Sequence, residues 1–212
     1  MSSIQIYYMC PDRVKKNLLK QGIDLDISIR TGDKSLDQVY NEIKNDTYFC
    51  RDEVSINFKH FLGILRNDIT LYANLEDKIG GALNFTFNEK DGERIIHFNG
   101  ICSPTKYSGE GVGQELINTL IRIGKQNDIK YIYLECKGNI MKYYHDKFGF
   151  EIINTQTSYD SDDEEDSTPY YYMRLDLSKV SGGNKKNVLK KTNKRRKRRS
   201  VTIRKRKRKL RK

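Results

Sequence analysis

Tyr107-Ser108-Gly109-Glu110-Gly111-Val112-Gly113-Gln114-Glu115-Leu116 sets three glycines at alternate positions between a strand-like run and a helix-like run. A loop of this kind has no side chains to fend off a ligand, so its main-chain N–H groups can wrap an anion. The segment that follows, Val112 to Gln126, brings Val112, Leu116, Leu120 and Ile123 to one face at helical spacing. A helix that starts inside a glycine loop offers unpaired N–H groups and the positive end of its dipole. The chemistry this equips is the holding of a diphosphate.

Spacing narrows which diphosphate. A dinucleotide fingerprint needs G-x-G-x-x-G, and the third glycine here comes one residue too early; a P-loop needs Lys-Ser or Lys-Thr after its last glycine, and none follows. The spacing resembles the coenzyme A pyrophosphate loop of the GNAT superfamily of N-acetyltransferases, whose pattern is Arg or Gln, two residues, Gly, one residue, Gly or Ala. Gly111 and Gly113 match the two small positions, and Ser108 stands where Arg or Gln is usual. That departure lies at a side chain and leaves the main-chain cradle intact.

A second block extends the resemblance. Tyr131-Ile132-Tyr133-Leu134-Glu135-Cys136 reads as a buried strand, followed by Lys137-Gly138-Asn139, a short helix from Ile140 to Lys147, and Phe148-Gly149-Phe150 leading into a further strand. This is similar to the second half of the GNAT core, and Gly149 stands where a glycine ends a helix. The likeness implies that Asn139 contacts the coenzyme and that a tyrosine on the helix protonates the leaving thiolate. The family's usual tyrosine position is His145 here; Tyr144 lies one residue earlier. Tyr144 is favoured as the general acid, with His145 its rival. The resemblance spans roughly residues 24 to 177 and implies acetyl-CoA as cosubstrate, cradled by Ser108, Gly109, Glu110, Gly111, Val112, Gly113 and Asn139. It further implies that the strand before the loop, Phe98 to Ser103, splays from the strand Tyr133 to Lys137. The pantetheine arm would then pair with Ile101, Cys102 and Ser103, and an N–H near Ile101 or Cys102 would polarise the acetyl carbonyl. His97 and Glu135 are the two candidates for general base, either one acting through a water. Cys102 reads as a core thiol rather than an acyl carrier, so the expected reaction is direct attack in a ternary complex.

The elements that must position these residues follow from pattern. Ile4 to Met9 reads as a short edge strand, Pro11 to Gln21 as a helix, Asp24 to Arg30 as a half-buried strand, Ser35 as the cap of a helix through Lys44, and Asn57 to Leu65 as a second helix. Two hairpins follow, turning at Glu76-Asp77 and at Asp91-Gly92. Strands from Phe150 and from Pro169 to Leu177 close the fold, an α/β mixed and mostly antiparallel GNAT-like sheet of six to seven strands with helices on both faces.

Charge divides the 212 residues sharply. Residues 179–212 hold 19 of the 40 basic residues and no acidic one, which leaves 21 basic against 28 acidic in residues 1–178. The expected organisation is an acetyltransferase-like domain over 1–178, carrying an acidic loop at 158–168, and a disordered polybasic tail over 179–212. The tail, through residues 185–212, is expected to bind nucleic acid by phosphate neutralisation, to act as a nuclear localisation signal, or both. No apolar run is long enough for a membrane span. Cys10, Cys50, Cys102 and Cys136 form no C-x-x-C pair and read as reduced thiols of an intracellular protein. The histidines are too scattered for a metal site, so no metal is expected. The amine acceptor is expected to be a protein lysine or N-terminus. A small cationic amine is the other acceptor, and a catalytically inactive domain in a nucleic-acid-binding protein is the non-enzymatic reading.

Overall fold

The computed structural model describes residues 4–29, 32–50, 58–156 and 169–180. The chain divides into two units, 1–177 and 178–212, and every described helix and strand lies in the first. The acidic loop 158–168 and the tail beyond residue 180 lie outside the described residues.

A seven-stranded sheet runs through the first unit: β1 (Gln5–Met9), β2 (Ile69–Leu75), β3 (Lys78–Lys90), β4 (Glu93–Cys102), β5 (Tyr131–Lys137), β6 (Glu151–Gln156) and β7 (Tyr170–Asp176), in the order β1-β2-β3-β4-β5-β7-β6. Neighbours are antiparallel throughout except β4 and β5, which are parallel. Two-residue turns join the hairpins. Asp91 (φ 54°) and Gly92 (φ 74°) turn β3 into β4, and Glu76 (φ 49°) and Asp77 (φ 64°) turn β2 into β3. Both pairs adopt the left-handed conformation that matches strand twist.

Helices cover both faces. α3 (Leu36–Asn45) starts at a full capping box: Gln38 N–H donates to Ser35 Oγ at 3.2 Å, and Ser35 N–H donates to Gln38 Oε1 at 2.6 Å. Its buried Val39 and Ile43 join Phe61 and Leu65 of α4 (Phe58–Leu65) over Tyr72, Ile79 and Ala82 of the sheet. On the other face lies α5 (Val112–Gln126), whose predicted stripe of Val112, Leu116, Leu120 and Ile123 is buried. Two glycines let it come close. A Cβ on Gly81 would sit 2.7 Å from Val112 Cγ1, and one on Gly124 would sit 2.6 Å from Leu177 Cδ1. α6 (Gly138–Phe148) ends at Gly149, with φ 82°, as its place in the sequence predicts.

Two expectations are corrected. Over its described residues, 24–29, the segment expected as a strand from Asp24 to Arg30 is not one. The edge beside β2 is taken by β1, paired from Gln5↔Asn74 to Met9↔Thr70. Asp24 instead accepts a hydrogen bond from Asp26 N–H at 3.0 Å and caps a single helical turn, α2 (Leu25–Ser28). Nor are all four cysteines thiols. Cys50 and Cys102 form a disulfide, with Cα atoms 5.3 Å apart, while Cys10 and Cys136 are free. A pairing across 52 residues leaves no spacing motif to read. α1 (Asp12–Lys20) forms as expected, with Pro11 just before it.

Replacing Gly124 by Val should destabilise the domain by roughly 1–3 kcal/mol through overpacking against Leu177 and Ile96. A urea midpoint unchanged by the substitution would contradict this close approach of α5 to the sheet.

Candidate active site

The parallel pairing of β4 with β5 is short. It runs from Ile95↔Tyr131 to Phe98↔Leu134 and stops, although both strands continue. β4 stays with β3 as far as Cys102↔Ala82, and β5 stays with β7 as far as Lys137↔Tyr170. The two strands therefore part, each held by its outer neighbour, as expected for Phe98–Ser103 and Tyr133–Lys137. The split begins at a bulge. Phe98 pairs with Phe85 and Gly100 with Asn84, so Asn99 is an extra residue on β4. Its Nδ2 donates to Asp68 Oδ2 at 2.7 Å. Burial raises the Asp68 carboxyl above its ordinary value, against the opposing pull of the Asn99 hydrogen bond. Asn-Gly inside a strand run was a readable sign of this bulge. Beside Gly100, the fully buried Asn84 accepts from Thr70 Oγ1 at 2.8 Å, and its Nδ2 has no partner among the described residues.

Past β4, a 3₁₀ turn (Thr105–Tyr107) leads into the glycine loop. Gly109 and Gly111 have φ of 82° and 86°, which is why glycine stands at both. A Cβ at either position would meet nothing within 4 Å, so the space outside the loop is open. Gly111 caps α5 without a side chain, and the first helical bond runs from Glu115 N–H to Gly111 O at 3.0 Å. The amides of Val112, Gly113 and Gln114 precede that bond and have no acceptor within the helix. Those of Ser108 and Glu110 are engaged inside the loop, donating to Thr105 O at 2.9 Å and Tyr107 O at 3.2 Å. Ser108 and Glu110 thus flank the cradle rather than line it with their main-chain donors. Gly113 faces Ile101, whose Cδ1 would lie 3.7 Å from an added Cβ, so the cradle rests directly on β4. An open, uncapped helix start of this kind fits a diphosphate.

α6 carries the aromatic candidates. Tyr144 is buried, edge-on to Phe98 (6.0 Å between ring centres), Phe150 (5.9 Å) and Tyr143 (5.6 Å). Phe98 is the last β4 residue paired with β5, so Tyr144 stands at the head of the split. Burial, with Cys136 nearby, holds its phenol well above the ordinary range, and it stays protonated. Tyr143 is 40% exposed. The Nδ1 of His145 lies 2.9 Å from Phe150 O, at the closing end of the helix. Asn139 is exposed in the first turn of α6, a helix whose N-cap Lys137 also provides no side-chain hydrogen bond. Burial pushes the Cys136 thiol up to about 11.

His97 and Glu135 lie on the opposite face. Strand alternation puts His97, Tyr133 and Glu135 on one side, and Phe98, Leu134 and Cys136 on the other under α6. Both His97 and Glu135 are exposed, and His97 stacks on Tyr133 with ring centres 5.9 Å apart. The split thus has a buried, protonated phenol behind it and two candidate bases in front. Ile101 and Cys102 end β4 on one side of it, with Ser103 just beyond, and the Cys102 sulfur is bonded to Cys50 rather than free. Among the described residues, no group of His, Cys, Asp and Glu could hold a metal ion, and no helix is long and apolar enough to cross a membrane.

The model of the acetyltransferase (GNAT) family matches residues 36–150 of this chain. In sequence, no curated protein matches it. Among solved structures, the ribosomal-protein-S18-alanine N-acetyltransferase from Escherichia coli is similar at a TM-score of 0.55 and 13% identity, over 72% of this chain and 96% of that one. The IAA acetyltransferase from Bacillus cereus is similar at 0.52 and 12%, over 82% and 99%. Nourseothricin acetyltransferase gives 0.45 and 18% identity; this chain spans 65% of its length and is itself covered over 52%. At these identities the first two structures speak for the fold.

The ring of Tyr144 is packed on three sides, against Phe98, Tyr143 and Phe150, and a phenylalanine would keep those contacts. Tyr144→Phe should therefore change stability by less than about 1 kcal/mol, whereas Tyr144→Ala should cost about 3–5 kcal/mol. Chemical denaturation of the two variants checks this; equal losses would mean that the hydroxyl is a structural anchor.

Proposed function

Since the chain belongs to the acetyltransferase (GNAT) family, we propose that it transfers acetyl from acetyl-CoA to a primary amine, a protein lysine or N-terminus, by direct attack in a ternary complex. The observation that carries this reading is the split between β4 and β5, lying between an uncapped glycine cradle and a protonated tyrosine. Acetyl-CoA supplies the acyl group as a thioester. Gly109, Gly111 and the free amides of Val112, Gly113 and Gln114 hold its diphosphate, assisted by Asn139. Ile101, Cys102 and Ser103 offer their main chain to the pantetheine arm, and an N–H near Ile101 or Cys102 polarises the acyl carbonyl.

His97 or Glu135, both on the open face, receives the proton of the incoming amine through a water. Tyr144 Oη, held protonated, donates at the side where sulfur departs. His145 is the weaker candidate for that role, because its ring is engaged with Phe150 O. Alignment of the two reactants supplies much of the rate, so a modest base suffices. A protein acceptor is favoured by the openness of the front face. Among the described residues, Tyr131, Tyr133, Tyr170 and Tyr172 are only half-buried there, forming a broad surface rather than an enclosed pocket for a small amine. For the tail, the run of basic residues without an acidic one supports nucleic-acid binding through 185–212, with nuclear localisation as a compatible role.

Calorimetric titration of the full-length protein with acetyl-CoA should show one-to-one binding, lost in Gly111→Glu, which forces a carboxylate and a disfavoured φ into the cradle. Both proteins keep the basic tail, so the difference reads the cradle alone; equal binding would remove the coenzyme assignment. Once an acceptor is in hand, Tyr144→Phe should lower kcat by about 10²-fold or more with acetyl-CoA affinity unchanged. A kcat within twofold of wild type would transfer the acid role elsewhere.

A further inference from the structure

Two cysteines far apart in sequence meet where the wall beside the split is fastened. Cys50 ends the described segment after α3, and Cys102 is the last residue of β4; both are nearly buried, at 6% and 4% exposure, and bonded to each other. Residues 46–50 run alongside 102–106. Phe49 forms an isolated antiparallel bridge with Pro104, Thr105 N–H donates to Tyr48 O at 3.3 Å, and Lys106 Nζ lies 3.3 Å from Asp46 Oδ2. The other ties of this segment are one buried ring and a few solvated contacts. Phe49 is sunk in the core against Phe61, but Tyr48 is 61% exposed, and the Lys106–Asp46 pair is partly solvated and worth little. Cys50 itself has φ 56°, in the left-handed region that residues other than glycine, Asn and Asp seldom adopt. The disulfide is therefore the firmest tie between this segment and the strand edge that borders the split.

We infer that Cys50 and Cys102 form a reversible thiol–disulfide site: oxidation pins segment 46–50 to the end of β4, and reduction releases it. The step is an exchange with a low-molecular-weight disulfide such as oxidised glutathione. The two protein thiols lose two protons and two electrons as one S–S bond forms, and the glutathione disulfide takes both up to become two thiols. Release lets Cys50 leave its left-handed backbone and leaves Phe49 as the segment's main anchor. Cys102 also belongs to the edge proposed to meet the coenzyme's arm, so the redox state of the pair is read at the sulfurs and at the Thr105 amide rather than through acetyl transfer.

The test equilibrates the full-length protein in glutathione buffers, from fully reduced to fully oxidised. Samples are acid-quenched and alkylated, and the Cys50 and Cys102 peptides are weighed by mass spectrometry. The pair should interconvert within that range while Cys136 stays a thiol throughout. Hydrogen exchange reads the consequence: the Thr105 amide, bonded across to Tyr48, should exchange at least tenfold faster when the pair is reduced. In oxidising buffer, Cys50→Ala and Cys50→Ser should both exchange there like the reduced wild type, with the amides of Leu71 and Leu83 unchanged in all samples. A pair that stays reduced at every ratio, a pair that stays bonded at every ratio, or Thr105 protection independent of redox state would each overturn the inference.

Discussion

The parting of β4 from β5 is the constraint on which the rest of this molecule depends. They are the only parallel neighbours among the described strands, and their pairing covers just four residue pairs. A parallel pair needs a crossover, and α5 supplies it, so the helix that packs on β3 and β4 must start where β4 ends. That places the glycine loop at the mouth of the split. The same logic sets α6 beyond β5, with Tyr144 against Phe98 at the point of separation. Cradle, split and buried phenol are consequences of one topological choice.

Leaving two strand edges unpaired inside a sheet is costly, because main-chain N–H and C=O groups demand partners. The structure holds the edges apart from outside. β3 keeps β4 through Cys102, β7 keeps β5 through Lys137, and the Asn99 bulge bends β4 away with its side chain tied to Asp68. A strand-like ligand in the gap would restore the missing bonds. The split thus acts as a standing demand for an extended amide-bearing arm, and the adjacent uncapped helix start as a demand for an anion.

Much of this was legible from residues alone. The alternate glycines required left-handed backbone, and Gly109 and Gly111 have it; the stripe of α5, the capping box at Ser35, the Asp91-Gly92 turn and the cap at Gly149 are local patterns whose physics lies within a few residues. What escaped the sequence depends on distant partners. Asp24–Arg30 alternates like a strand, but the place beside β2 was taken by β1, which no local pattern reveals. The Cys50–Cys102 bond joins residues 52 apart, and the Asn99–Asp68 contact spans β2 and β3. Which face His97 and Glu135 share, and that Tyr144 lies behind them, likewise required the register of β4 on β5.

If the gap between β4 and β5 receives the coenzyme's arm as a strand, the main-chain amides on both of its sides should report the binding. Backbone amide NMR of the full-length protein, titrated with acetyl-CoA, tests this most directly. Large shifts and slowed hydrogen exchange are expected at residues 99–103 and 135–137, together with 109–114, with little change along β1 and β2. Changes confined to the basic tail, or to 109–114 with the split unaffected, would contradict it.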